Sequence, residues 1–171
     1  PRMTNDHIAI RSIDLEGFRV DDLGSYFIKY GYEEKQTYNF EAKKVLAKHF
    51  EHKDKNAPRV FVSHLELSKF SSYTRETLTN LFKQINITGE DLLFSGRAIE
   101  IYHDVYLKLL KESEYAAWLY CFGFCANHFT ISVNSLSKHS SLEDLNIYLK
   151  EHGYQLSAKG GEIKGSKEEG L

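Results

Sequence analysis

Alternation of apolar and polar positions marks residues 5 to 13 as a strand, with His7, Ala9, Arg11 and Ile13 on one face and Asp6, Ile8, Ile10 and Ser12 on the other. The period then changes. Leu23, Tyr26, Phe27 and Tyr30 recur at i, i+3, i+4 and i+7, which predicts a helix capped by Asp21 or Asp22, stopped by Gly31 and packed on a sheet. Two further strands are expected over Lys44 to His52 and Arg59 to Leu67, separated by the turn-forming Asp54-Lys55-Asn56-Ala57-Pro58. In the second of these, Phe61, Ser63, Leu65 and Leu67 share a face while Val62, His64 and Glu66 share the other. A weaker strand is expected around Lys35 to Phe40, so residues 5–67 read as a β-α-β-β module.

Residues 68–120 change character. Ser71 or Ser72 caps a helix carrying Leu78, Leu81, Phe82 and Ile85 on one stripe, and Tyr102 to Tyr120 reads as one long helix free of Pro and Gly. The opening pattern then returns in residues 121–171. Asn5-Asp6-His7-Ile8-Ala9-Ile10, Asp22-Leu23, Tyr26 and Gly31-Tyr32 are echoed by Ala126-Asn127-His128-Phe129-Thr130-Ile131, Asp144-Leu145, Tyr148 and Gly153-Tyr154. The histidines lie 121 residues apart (128 − 7) and the aspartates 122 apart (144 − 22), so one inserted residue aligns the two copies. Two copies of a β-α unit imply a pseudo-twofold architecture. The second copy puts His128, Thr130, Ser132 and Asn134 on a polar strand face opposite Phe129, Ile131 and Val133, before a helix opened by Ser140 or Ser141. A glycine-flanked turn into a short strand is expected over residues 160–166, which lack the spacing of a phosphate loop.

A chain of 171 residues that is 42% apolar and 13% aromatic can bury a core, and the expectation is a single metal-binding domain over residues 1–171. With acids and bases interspersed and a formal net charge of −2, there is no electrostatic footprint for nucleic acid or an anionic membrane. No stretch approaches a membrane span and no basic-then-apolar leader opens the chain, so the expected location is cytoplasmic. Cys121 and Cys125 have neither zinc-knuckle nor redox spacing and are read as free thiols. The stretch from Ala126 to Leu171 holds 46 residues against 63 from Asn5 to Leu67, so the second module is expected to be truncated in this chain.

Of the eight histidines, His49, His52, His103, His139 and His152 sit among charges or at helix ends, where solvation or capping is the ordinary role. His7 and His128 differ because they hold equivalent places in the repeat and can converge on one ion at the pseudo-twofold axis. Two neutral imidazoles need a third ligand to form a two-histidine, one-carboxylate site for Fe(II) and O2, and Glu66 and Glu162 are candidates, with His64 as a further one. Arg11, about 13 Å along the strand from His7, suits bidentate binding of a substrate carboxylate.

Asn-Asp-His-Ile-Ala-Ile-Arg (5–11), Pro-Arg-Val-Phe-Val-Ser (58–63), Glu-Ser-Glu-Tyr-Ala-Ala-Trp (112–118), Asn-His-Phe-Thr-Ile-Ser-Val (127–133) and Gly-Gly-Glu-Ile-Lys-Gly-Ser (160–166) carry a resemblance. They resemble the 2-oxoadipate dioxygenase/decarboxylase family, also called 2-hydroxyglutarate synthases, of the vicinal oxygen chelate superfamily. The resemblance implies an α+β fold of paired β-α-β-β modules around one metal, here with a helical insertion and an incomplete second module. It implies Fe(II), or another divalent metal, on His7 and His128, and Arg11 on the distal carboxylate of a small 2-oxo acid. The implied reaction takes 2-oxoadipate and O2 to 2-hydroxyglutarate and CO2, as in lysine breakdown. Two departures stand out. The family's third ligand is a glutamate in a later strand, which this chain does not contain, and His64 stands where an acidic residue is expected after Phe-Val-Ser. A glyoxalase-type lyase or isomerase and a non-catalytic binding module with an incomplete metal site are the alternative readings.

Overall fold

The computed structural model describes residues 4–87, 89–97, 100–139, 141–158 and 161–163. They form two compact units, one of Asn5–Thr130 and one of Thr4 with the described residues from Ile131 onward. In the first unit, β1 (Asn5–Ile13) leads into α1 (Val20–Lys29), then β2 (Tyr32–Phe40), β3 (Val45–His52) and β4 (Arg59–Leu65). With β5 (Ala126–Ile131) these make one five-stranded sheet in the order β2-β3-β4-β1-β5. β1 runs parallel to β4, while β3 is antiparallel to both β2 and β4.

One face of the sheet is apolar and lies under α1. Ile10, Phe50, Val60 and Val62 are buried there with Val20 and Leu23 of the helix. Gly24 allows the helix to come close, since a Cβ at that position would fall 2.4 Å from the Phe50 ring. The helix starts two or three residues earlier than expected, with Arg19 at the N-cap. Its amide donates to Asp22 Oδ2 at 2.9 Å, and the Val20 amide donates to His64 Nδ1 at 3.1 Å. Gly31, at φ 88°, takes the left-handed place after the last turn. Tyr30 is not inward but 64% exposed, its hydroxyl donating to Glu90.

Three other expectations are corrected. β2 is a full nine-residue strand rather than a weak one; as an edge strand it is solvated on both sides, so Glu33, Glu34, Lys35, Gln36 and Thr37 leave no alternation to read. β4 stops at Leu65, where a 3-10 turn over Leu67–Lys69 buries Leu67. The long helix is two, α3 (His103–Glu112) and α4 (Glu114–Phe122), with Ser113 extended between them at φ −155°, ψ 119°. Ser113 makes the break a capped one, because its hydroxyl accepts from the Ala116 amide at 3.1 Å. Ahead of them, α2 (Ser72–Phe82) is capped by Ser71 and buries Leu78, Leu81 and Phe82 as the stripe predicts.

In the second unit, a 3-10 turn over Val133–Ser135 replaces the continued strand, so Ser132 and Asn134 are not strand residues. α5 (Leu142–Glu151) follows, with the Ser141 hydroxyl accepting from the Asp144 amide. Ser140, Gly160 and residues 164–166, where the other capping candidate and most of the expected short strand fall, lie outside the described residues. No described helix is long and apolar enough to cross a membrane.

Candidate metal centre

The sheet face opposite α1 carries polar and aromatic side chains. β1 pairs with β4 in the register His7↔Arg59, Ala9↔Phe61 and Arg11↔Ser63, which puts these six residues on that face. Five rings form a row across all five strands: Tyr38 on β2, His49 on β3, Phe61 on β4, His7 on β1 and His128 on β5. Successive ring centroids are 5.7 Å, 5.3 Å, 5.3 Å and 5.3 Å apart.

The row ends on the two repeat histidines. Their Nε2 atoms are 3.3 Å apart, with the rings nearly perpendicular at 83°. Sequence separation of 121 residues is thus closed by adjacency of β1 and β5, as the pseudo-twofold reading of the repeat expects. Two nitrogens about 2.1 Å from one ion cannot be more than about 4.2 Å apart, so this pair has the span and the donor chemistry for a divalent cation. Burial, His7 and Arg11 together lower the pKa of His128, which favours its neutral, ligating form. Among the described residues no third histidine, cysteine or carboxylate completes a cluster with them.

Contacts around the pair were not foreseen from the residues. Asp6 Oδ2 and Thr130 Oγ1 each lie 3.0 Å from His7 Nδ1, and Asn127 Oδ1 lies 2.9 Å from His128 Nδ1. The signal was in the repeat, since Asp6 and Asn127 immediately precede the two histidines. Arg59 reaches Asp6 at 3.8 Å and Glu51 at 3.1 Å.

Arg11 is on the same face as His7. Its guanidinium lies over the rings of Tyr115, at 4.7 Å, and Trp118, at 5.1 Å, and donates to Glu114 Oε1 at 3.0 Å. All three partners come from α4, whose placement depends on the buried Tyr115 hydroxyl: it accepts from the Ser12 amide at 3.0 Å and donates to the Ser63 carbonyl at 2.9 Å. Burial holds that phenol far above its ordinary pKa, so it stays neutral. Neither α4 nor its contact with Arg11 is visible in strand periodicity, because the two segments lie about a hundred residues apart in the chain.

Within the first unit, His64 and Glu66 are not brought to the pair. His64 alternates with Ser63 and therefore falls on the α1 side of the sheet, buried, with Nδ1 accepting from Val20. Glu66 follows the end of β4 and pairs with Lys69 at 2.5 Å. Glu162 belongs to the second unit and pairs with Lys150 at 2.7 Å. Cys121 and Cys125 are free and half-buried.

Known proteins share both sequence and fold with this chain. A family profile described as 2-oxoadipate dioxygenase/decarboxylase matches residues 2–101. The chloroplastic 2-oxoadipate dioxygenase/decarboxylase of Arabidopsis thaliana is 32% identical over 97% of this chain and 49% of its own length, so the chain spans about half of that curated relative. A crystal structure from Shewanella frigidimarina NCIMB 400, described as a hydrolase, is 41% identical with a TM-score of 0.92 over 97% of this chain and 66% of that one. The hydroxyglutarate synthase of Oryza sativa in complex with 2-oxoadipate is 26% identical, with a TM-score of 0.88 over 98% of this chain and 59% of that one. A glyoxalase-superfamily protein from Ralstonia eutropha JMP134, 20% identical, shares the fold with a TM-score of 0.71 over 91% of this chain and 57% of that one. The α+β architecture is that of the vicinal oxygen chelate proteins, and the chain belongs to the 2-oxoadipate dioxygenase/decarboxylase family.

Proposed function

We propose that His7 and His128 hold Fe(II) and that the protein converts 2-oxoadipate, or a similar 2-oxo dicarboxylic acid, with O2 to 2-hydroxyglutarate and CO2. The observation that carries this reading is the 3.3 Å approach of the two Nε2 atoms in a chain of this family. A bound ion of this kind supplies Lewis acidity and electron transfer to O2. The atoms balance with no external reductant, because the substrate itself supplies the electrons for both oxygen atoms.

The chain's own residues bind and orient. Arg11 receives the distal carboxylate of the substrate; Tyr115 and Trp118 hold its guanidinium on the His7 face of β1. Glu114, 68% exposed at its side chain, is the carboxylate that the substrate's carboxylate replaces. The length of the acid between its two carboxylates is then matched to the separation between Arg11 and the histidine pair.

The test uses the natural full-length protein, loaded with Fe(II) without air and given 2-oxoadipate. On admission of O2, an oxygen electrode should record uptake matched by release of CO2 and formation of 2-hydroxyglutarate. Conversion of 2-oxoadipate to another product without oxygen uptake would assign the glyoxalase-type chemistry instead, and no turnover with no bound metal would leave a binding module.

A further inference from the structure

We propose that Asp6 and Asn127 are a matched pair of positioning residues that fix the ring tautomers of His7 and His128, so that both Nε2 atoms present lone pairs to one point. The proposal rests on the metal-binding reading of the pair, and extends it to residues that touch neither substrate nor ion.

The argument is an account of protons. Thr130 Oγ1 accepts from the His7 amide at 2.9 Å and donates its only hydrogen to the His7 carbonyl at 3.0 Å. It has no hydrogen left for His7 Nδ1, yet lies 3.0 Å from it. That contact is attractive only if Nδ1 carries the proton. Asp6 Oδ2, also 3.0 Å from Nδ1, is a carboxylate oxygen and can only accept; Arg59 lies 3.8 Å from it. Two acceptors therefore face Nδ1–H of His7, and its Nε2 is left bare. Asn127 Oδ1 does the same for His128 at 2.9 Å. With both Nε2 atoms unprotonated, their 3.3 Å approach is no hydrogen bond between rings but two lone pairs converging, an arrangement that a cation relieves.

The duplication supports the same conclusion independently. Asp6 and Asn127 are themselves 121 residues apart (127 − 6), the spacing of the histidines, so each copy of the repeat contributes a ligand and the oxygen that orients it. The copies differ in charge. Asp6 strengthens its imidazole by a charge-assisted bond and Asn127 does not, which makes His7 the stronger donor of the two.

Histidine-selective 15N NMR on the metal-free full-length protein at about pH 8, where an ordinary imidazole is neutral, reads the tautomers directly. Both rings are expected as Nδ1–H. Asp6→Ala should move His7 toward a mixture of tautomers and leave His128 alone, and Asn127→Ala the reverse. Asp6→Asn, which keeps the shape and an acceptor, should retain the His7 tautomer and guards against a folding artefact. Anaerobic Fe(II) binding should weaken by about 10- to 100-fold in either alanine variant, the usual effect of losing such a partner. Nε2–H on either ring of the natural protein, or alanine variants unchanged in both tautomer and affinity, overturns the proposal. Nδ1–H rings that respond to their own variants in a protein that takes up no Fe(II) uphold the positioning and overturn the metal reading instead.

Discussion

At the scale of single residues, Arg11 has the sharpest consequence. Its guanidinium has a stacked, directed setting rather than a free surface one, with only 19% of the side chain exposed. On the proposed reading, Arg11→Met removes a charge-assisted bond worth about 1.5–3 kcal/mol, and the KM for 2-oxoadipate is expected to rise about tenfold or more. Steady-state kinetics with a monocarboxylic 2-oxo acid should show a much smaller change; equal losses would assign Arg11 to the metal site or the fold. The candidates that lie side by side are the two histidines doubled by the repeat. His64 went astray for a physical reason: a histidine beside a strand's polar face reads as a ligand until the register is known, and here one step of alternation turns it to the other side.

Elements were legible where one face is buried and the other is wet. β1, α1, β3 and β4 show that contrast, whereas β2 at the sheet edge and the α3–α4 break do not, because the first has no buried face and the second depends on a single capping serine. The cap of α1 also escaped the sequence, since its acceptor comes from β4, 44 residues away. This cap makes helix stability depend on pH. Burial lowers the pKa of His64 against the opposing pull of Asp14, Glu66 and Asp21, so the folded protein keeps it neutral while an unfolded chain protonates it below about 6.5. Its folded pKa being the lower one, the stability at neutral pH is undiminished above about 6.5 and is lost progressively as pH falls from there toward the folded value. Urea unfolding at about pH 7.5 and 5.5 should record that loss, and His64→Gln, which keeps an acceptor but cannot titrate, should reduce the difference. A pH dependence unchanged by the substitution would remove His64 as its source.

Over the whole molecule, the described residues bring two candidate ligands together and no third. The chain spans 49% of the Arabidopsis relative. On the proposed reading, His128→Ala removes one of the two imidazoles and is expected to weaken Fe(II) binding by at least about tenfold. Equilibrium dialysis of the two proteins side by side checks it; equal affinity would mean that His128 is not a ligand. That pairing of remote halves is what sequence patterning conveys least, because periodicity reports faces and not neighbours.

The place of β1 in the sheet has a temporal consequence. It is an inner strand, flanked by β4 and β5, although it precedes both in the chain. Its first neighbour is complete only at Leu65 and its second only at Ile131. At about 5–20 residues per second, synthesis leaves one edge of β1 open for roughly 6–25 s before β5 emerges. His7 waits for that time without its counterpart, so on the proposed reading the nascent chain offers metal ions a lone imidazole and not a chelate. On the proposed reading, capture of the ion is thereby deferred until β5 has joined the sheet.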